Sequence, residues 1–222
     1  MFRFMPTLKL KCSQLLQFYL TAIALVCSQL SQGGELVGYT IHQTKQGIQI
    51  SVPNNWRVYS SEQLQRHYSK AKEFSKQSSD HALASTLIFA AEASDRNGQR
   101  VAYASLIAYD YIPVTQYDVR QQTTELIAQV KADIYNELQP LIQKGVITEF
   151  KIIKARKVEN NDLAAIEVEY QRTTKLVDKS RVRLYRFYDE ERSFTFTFSH
   201  REDAAFSMIQ VGNTMIASLR RR

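Results

Sequence analysis

Cysteine is scarce in this chain and absent from most of it. Of 222 residues only two are cysteines, Cys12 and Cys27, and both lie within the first 28 positions. A protein that began at Gln29 would therefore have no disulfide and no cysteine ligand for a metal. A domain of the remaining size buries enough apolar surface to fold without disulfides. The scarcity predicts that stability comes from packing alone.

Several catalytic motifs are missing as well. The sequence contains no Gly-x-Ser-x-Gly elbow and no glycine-rich loop that could cradle a phosphate. No two histidines stand three or four positions apart, so a metal site would need ligands from distant parts of the chain. We expect ordinary surface histidines at His42, His67, His81 and His200. These absences favour a non-enzymatic protein with no cofactor and no metal, and they make a hydrolase the weakest interpretation.

The first 28 residues have the three parts of a secretory signal. Arg3, Lys9 and Lys11 form a basic start without an acidic residue, and an apolar run follows from Leu15 to Val26. That run is too short for a comfortable membrane span, which needs about 20 residues. The pattern therefore predicts an exported protein, either periplasmic or secreted.

Cleavage is predicted before Gln29, with Gly34 as an alternative first residue. The predicted organisation is a signal peptide over 1–28, a polar spacer over 29–34 and a single domain over 35–222. Two alternatives stay open. One is an uncleaved membrane anchor through residues 15–27, and the other is a lipid anchor at Cys27.

The positive charge of the chain comes partly from this leader. The full sequence has 29 basic and 22 acidic residues, a formal charge of +7. Because three basic residues precede Gln29, a chain starting there has 26 basic against 22 acidic residues, a charge of +4. That value argues against nucleic acid as a partner and leaves contact with an anionic surface open. Three basic runs remain: Lys151, Lys154, Arg156 and Lys157; Arg181, Arg183 and Arg186; and Arg220 to Arg222.

Turn and capping signals divide the rest of the chain into short elements. Asn97-Gly98 between two apolar runs is the strongest short signal for a hairpin. Ser60 with Gln63, and Thr115 with Asp118, have the spacing of N-terminal caps before amphipathic helices. Strands linked mainly by hairpins, with separate amphipathic helices, predict an antiparallel sheet covered by helices.

The predicted order of elements is ββ-α-ββ-α-ββββ-α, an α+β fold with an antiparallel sheet sandwiched between α-helices. Pro140 is expected to end or kink the second and longest helix. Ser199 and Glu202 have capping-box spacing before the last helix.

The stretch from Asp162 to Leu219 is predicted to be the centre of the fold. Phe196 and Phe198 alternate with small polar residues, so their rings are expected to face the core. Glu167 and Glu169 alternate with apolar residues on an earlier strand. We expect these two carboxylates on the wet face of that strand rather than as a catalytic pair.

Four segments carry a resemblance to a known family: Gly47–Trp56 with its Pro-x-x-Trp ending, Asp162–Tyr170, Arg192–Phe198 and Ile216–Leu219. Together they resemble the PsbP-like family, which includes the photosystem extrinsic protein, the Ran-binding Mog proteins and bacterial DcrB-type envelope proteins. The resemblance implies an antiparallel sheet between helices. It transfers no function, because members of one fold do unrelated jobs, although most of these relatives look like non-catalytic partners of larger assemblies.

We interpret the chain as an exported, non-enzymatic accessory or protein-interaction module of the cell envelope, with an unknown envelope protein as its partner. The residues predicted to make contact are Trp56, Tyr109, Tyr111, Arg220, Arg221 and Arg222. Trp56 has a structural alternative, in which it plugs the fold beside Pro53.

A second interpretation is a carrier that holds a small apolar or lipid ligand between the long helix, at about 115–139, and the sheet. A large dry cavity at that place would favour the carrier, whereas a packed core would favour the interaction module.

Overall fold

The structure is a computed structural model that describes residues 38–75, 85–110, 114–121, 123–160, 163–175, 179–188 and 192–221. The strands within these ranges are β1 (Tyr39–Gln43), β2 (Ile48–Pro53), β3 (Arg57–Val58), β4 (Ser85–Ser94), β5 (Arg100–Asp110), β6 (Ile147–Asn160), β7 (Leu163–Thr174), β8 (Ser180–Tyr188), β9 (Arg192–Arg201) and β10 (Arg220–Arg221). The helices are α1 (Ser61–Ser75), α2 (Gln116–Gln121), α3 (Thr123–Gln143) and α4 (Ala205–Ala217), with a 3-10 turn at Glu202–Ala204.

The strands form two antiparallel sheets. The larger sheet has the order β3-β4-β5-β9-β8-β7-β6, and the smaller has the order β1-β2-β10. Most strands pair with their neighbour in the chain, as hairpins require. The pairing of β5 with β9 joins the β4–β5 hairpin to the strands β6 to β9. The antiparallel α+β class is confirmed. The predicted order is matched apart from the two-residue strands β3 and β10 and the division of the long helix into α2 and α3.

One face of the large sheet, here called the Phe face, carries Phe194, Phe196 and Phe198. It packs against apolar residues of β2 and α4, including Ile48, Ile50, Val52, Met215 and Ile216. Phe196 and Phe198 are 0% and 1% exposed, which confirms their predicted orientation. Gly212 of α4 lies against Phe198, because a Cβ at that position would stand 2.8 Å from the ring. The missing side chain lets the helix approach the sheet closely.

The opposite face of the sheet is covered by α1, α2 and α3. The apolar stripe on α2 and α3 consists of Val119, Leu126, Val130, Ile134 and Leu138. It packs on residues of β7 and β8 that include Ala164, Ile166, Val168, Tyr170 and Leu184. Helix α1 lies beside β4, where the Tyr68 hydroxyl donates to the carbonyl of Ser85. The large sheet therefore lies between helices, as predicted.

Both predicted caps at the first two helical regions are present. The Ser60 hydroxyl accepts from the backbone N–H of Gln63, and the Gln63 side chain accepts from the N–H of Ser60. The Thr115 hydroxyl accepts from the N–H of Asp118, whose carboxylate accepts from the N–H of Thr115. Each pair satisfies two backbone donors that the first helical turn leaves unpaired.

Pro140 does not end the long helix. Helix α3 continues through it to Gln143, and Lys144 still donates its N–H to the carbonyl of Pro140. The helix ends instead before Gly145, whose φ of +64° is the left-handed conformation that commonly closes a helix.

The predicted cap at Ser199 and Glu202 is wrong. Strand β9 continues past Ser199 to Arg201, because its ladder with β5 extends to His200 and its ladder with β8 extends to Arg201. The Ser199 hydroxyl faces the carbonyl of Tyr103, and α4 begins at Ala205 without a side-chain cap.

Several predictions fall outside the described residues. These are the signal peptide and spacer over 1–34, His81, Tyr111 and Arg222. In the part of the chain that the structure describes, no helix has the length and apolar character needed to cross a membrane.

Candidate functional site

Glu167 of β7 is a buried carboxylate on the Phe-face side of the sheet. It is 0% exposed, although alternation predicted it on a wet face. Arg156 Nε of β6 donates to Oε2 at 2.6 Å, while Arg183 Nη2 and Tyr185 Oη of β8 donate to Oε1 at 3.0 and 2.6 Å. The prediction is wrong because the side chains of both neighbouring strands close over the carboxylate.

The surroundings of Glu167 hold it in the charged form. Burial raises its pKa, but hydrogen bonds from Tyr185, Arg156 and Arg183 outweigh that effect and lower the pKa from 4.5 to about 2. Burial, together with the bond to Glu167, raises the pKa of Tyr185, so its hydroxyl stays protonated and can donate. A general acid or base needs a pKa near the working pH. Glu167 is therefore better suited to hold its cationic neighbours in place than to transfer protons.

Glu169 extends the same network along β7. Its predicted position on a wet face is also wrong, because it is only 8% exposed. Lys154 Nζ and Arg181 Nε lie 3.0 and 2.9 Å from its two carboxylate oxygens. Lys154 also reaches Glu167 at 3.7 Å, so the two glutamates share a cation. Arg183 Nη1 donates to Asn213 Oδ1 of α4 at 2.6 Å. The network is thereby fixed to the helix that covers the Phe face.

The cations of this network reach solvent while the carboxylates do not. The exposed side-chain fractions are 58% for Arg156, 39% for Lys154 and 35% for Arg181, against 15% for Arg183. Lys151 is exposed as well. It lies on the same side of the sheet as Arg181, because Lys151 pairs with Gln171 of β7, and Gln171 pairs with Arg181 of β8. We call this set the basic surface: Lys151, Lys154, Arg156, Arg181 and Arg183 over Glu167 and Glu169. Five positive charges over two buried negative ones suit the binding of an anion.

A smaller cluster of the same kind lies on the opposite face. Glu92 of β4 is 7% exposed and accepts from Tyr59 Oη at 2.6 Å, from Arg100 Nε at 3.0 Å and from Arg57. Burial opposes ionisation, but the Tyr59 hydrogen bond and the charges of Arg100 and Arg57 lower the pKa of Glu92. The guanidinium groups of Arg57 and Arg100 also stand over the rings of Tyr59 and Tyr103. With two cations on one carboxylate, this cluster has a smaller excess of charge than the basic surface.

Trp56 lies in the core rather than on an accessible surface. It is 7% exposed and stacks on Phe198, with 6.1 Å between ring centroids and 19° between ring planes. The structure therefore favours a packing role for Trp56 over the predicted contact role, since little of the indole can reach a partner.

The other predicted contact residues do not converge with Trp56. Tyr109 is half-buried on the opposite face of the sheet, where burial raises its pKa to about 12 and Arg186 lies over its ring. Arg220 and Arg221 form β10 at the edge of the small sheet, and Arg220 Nε donates to Gln49 at 3.0 Å. The contact roles of these three residues stay predictions.

The histidines occupy separate places in the fold. His200 is only 2% exposed, so its predicted surface position is wrong; burial lowers its pKa, and its Nδ1 lies 2.8 Å from the carbonyl oxygen of Arg201. His42 is partly buried on β1, and His67 lies on α1 beside the ring of Tyr59. Among the described residues, no three His, Cys, Asp or Glu side chains are grouped so that they could hold a metal ion.

An apolar cavity of about 20 Å³ lies between α4 and the sheet. Its walls include Val158, Ala165, Phe187 and Leu219. A cavity of that size holds roughly one water molecule. It cannot hold a lipid chain.

The basic runs of β6 and β8 were evident in the sequence, but their convergence over Glu167 and Glu169 was not predicted, although a signal for it was present. Counting along the strands from the pair Asn160 and Leu163 places Arg156 opposite Glu167, and β8 places Arg183 beside Glu169. Alternating cations on β6 and β8 thus face alternating carboxylates on the strand between them. Cross-strand pairs of opposite charge are the expected partners in such a register.

No protein-family model matches the chain, and no curated protein sequence matches it. Solved structures nevertheless share its architecture. Cyanobacterial PsbP (CyanoP) from Synechocystis sp. PCC 6803 aligns with a TM-score of 0.54 and 13% identity, covering 87% of this chain and 99% of that chain.

Two further alignments are weaker. LpqN of Mycobacterium tuberculosis, described as involved in cell envelope biogenesis, has a TM-score of 0.42 and 11% identity over 82% of this chain and 89% of that chain. The immunity protein TplEi of Pseudomonas aeruginosa has a TM-score of 0.42 and 8% identity over 85% and 98%. The likeness to CyanoP concerns the fold alone, and on that ground the chain has a PsbP-like fold.

Proposed function

We propose that the protein is an exported, non-enzymatic interaction module of the cell envelope, which works by binding another protein. Its export rests on the signal-like pattern of residues 1–28. Its binding role rests on a filled interior combined with a charged surface that reaches solvent.

The observation that carries the proposal is the packing between α3 and the sheet. Val130 and Ile134 of α3 are each 1% exposed, and they pack in one cluster with Ile166 and Val168 of β7, which are each 0% exposed. A carrier needs a pocket of roughly 300–1,000 Å³ for a small ligand. Side chains fill the place where the carrier interpretation requires that pocket, which supports the interaction module.

The state of Glu167 supports a non-enzymatic role. Three residues donate hydrogen bonds to its carboxylate, and its pKa of about 2 keeps it unprotonated at neutral pH. Proton transfer would require those bonds to break first. The carboxylates of β7 therefore serve better as a foundation for surface cations than as an acid–base pair.

Chemical cross-linking in the native host, followed by capture of the tagged protein and mass spectrometry, tests the proposal. An unrelated exported protein with the same tag is the control. We expect one envelope protein to be enriched with this chain and not with the control. The purified protein is also extracted with organic solvent to detect a bound lipid. A lipid present in stoichiometric amount, together with no enriched protein in the capture experiment, would favour the carrier.

A further inference from the structure

We infer that the basic surface of β6, β7 and β8 is the docking site for an acidic segment of a partner protein. This inference rests on the proposed interaction function and adds the place and the chemistry of the contact. The site is distinct from the predicted contact residues Trp56 and Tyr109, which lie in the core and on the opposite face of the sheet.

The strands arrange the cations in two rows. Lys151, Lys154 and Arg156 lie on β6, Arg181 and Arg183 lie on β8, and β7 runs between them. Neighbouring strands are about 4.8 Å apart, so the rows are separated by roughly 10 Å. An extended peptide laid along the strands would therefore have cations on both of its sides.

The buried glutamates orient the guanidinium groups without neutralising them all. Arg156 and Arg181 each use Nε for their ion pair with β7, at 2.6 and 2.9 Å. An arginine has four further N–H donors on its two terminal nitrogens, in a planar fork that matches a carboxylate. Because the side chains of Arg156 and Arg181 are 58% and 35% exposed, they can meet a carboxylate from solvent.

Two other anionic partners fit this surface less well. Single-stranded nucleic acid is held by bases that stack on exposed aromatic rings. The aromatic residues that β6, β7 and β8 place on this side of the sheet, Tyr185 and Phe187, are each 3% exposed and cannot serve as a platform. Anionic membranes are bound by basic clusters that lie next to a membrane-spanning helix or on an amphipathic helix, whereas the cations of this surface project from the strands of a sheet.

A matched pair of triple variants tests the inference. The first, Lys151→Gln/Arg156→Gln/Arg181→Gln, removes three cations of the basic surface and keeps Lys154, Arg183 and Tyr185 around the glutamates. The control, Arg66→Gln/Arg96→Gln/Lys131→Gln, removes three exposed cations from α1, the β4–β5 turn and α3. Both change the net charge by the same amount, and circular dichroism confirms that each folds.

The probe is a fluorescent octapeptide of alternating Glu and Ser, followed by anisotropy at low and at physiological salt. We expect the wild type and the control to bind it, with affinity that falls as salt rises. The basic-surface variant should bind about ten-fold more weakly, as the loss of three exposed ion pairs allows.

Three results would overturn the inference: no binding by the wild type, an equal loss in both triple variants, or tighter binding of phosphatidylserine vesicles or oligothymidine than of the peptide. Cross-linked capture then separates the two proposals. A partner captured equally by the wild type and the basic-surface variant defeats the docking site and leaves the interaction function standing. A wild type that captures no partner defeats the interaction function, whatever the peptide shows.

Discussion

Glu167 is a buried carboxylate, and its neighbours keep it ionised. Taking a carboxylate out of water is unfavourable unless charge-assisted hydrogen bonds replace the lost hydration. Arg156, Arg183 and Tyr185 supply those bonds from the two adjacent strands. The same bonds hold Arg156 and Arg183 in place, so one residue contributes both to stability and to the form of the basic surface.

The pH dependence of stability follows from the lowered pKa of Glu167. Because the pKa is lower in the folded than in the unfolded chain, this stabilisation is present above about pH 4.5 and is lost as the pH falls towards 2. Glu167→Gln should reduce the free energy of unfolding at neutral pH by about 3 kcal/mol, near the lower bound for breaking a buried pair because Arg156 can reach water.

Urea unfolding from pH 2 to pH 7 measures this effect. The curve of Glu167→Gln should be flatter than that of the wild type below pH 4.5, and the exposed Glu125→Gln on α3 is the control. Equal pH dependence in all three proteins would show that Glu167 is not held by these bonds.

A second prediction at this scale concerns the aromatic strand β9. Phe196 is 0% exposed, whereas Thr197 is half-buried on the other side of the strand. Phe196→Ala should cost about 3–5 kcal/mol of stability, because it removes a core ring and leaves a cavity. Thr197→Ala should cost little. Similar denaturation midpoints for the two variants would contradict the register.

Alternation identified the orientation of Phe196 but not the burial of Glu167. A polar residue at every second position indicates which side of a strand is polar, and gives no information about what covers that side. Glu167 is buried by long side chains of β6 and β8, whose cations pair with it across the strands. Such burial depends on three strands at once and is invisible in the pattern of one.

At the scale of elements, the capping motifs predicted the structure correctly where no strand competed for the same backbone groups. The caps at Ser60 and Thr115 precede free helix ends, where a side chain is the natural acceptor for the first N–H groups. The same spacing failed at Ser199, because the strand ladders of β9 continue past it. Tertiary pairing overrode the local motif.

The packing of α4 on the Phe face depends on Gly212. An added Cβ would stand 2.8 Å from the ring of Phe198, which is itself buried and cannot move aside freely. Gly212→Ala should therefore destabilise the protein by roughly 1–3 kcal/mol, although alanine is the better helix former. Ser207→Ala on the exposed side of α4 is the control, and thermal denaturation is the measurement. A stabilised Gly212→Ala would show that the helix sits further from the sheet.

At the scale of the whole molecule, the sheet is covered on both faces. Hairpin signals and helix periodicity were sufficient to predict an antiparallel sheet between helices. They could not predict that β9 pairs with β5, or that Arg220 and Arg221 add a strand to β2, because these contacts join residues far apart in the sequence. The basic surface belongs to this level too, since its residues come from three strands.

Export remains a prediction from the sequence of residues 1–28. The acid-free leader with its apolar run predicts a mature protein that begins near Gln29 or Gly34 and contains no thiol. Cell fractionation followed by intact-mass measurement and thiol labelling checks it. Recovery of an uncleaved chain that retains Cys12 in the cytoplasm would be incompatible with export.

We propose that this protein acts by binding through the basic surface, and complementation of a deletion strain tests that role most directly. The strain receives the wild type, the Lys151→Gln/Arg156→Gln/Arg181→Gln variant or the Arg66→Gln/Arg96→Gln/Lys131→Gln control, at levels matched by immunoblotting. We predict that the wild type and the control restore the phenotype of the parent strain, while the folded basic-surface variant does not. Full restoration by the basic-surface variant would contradict the claim.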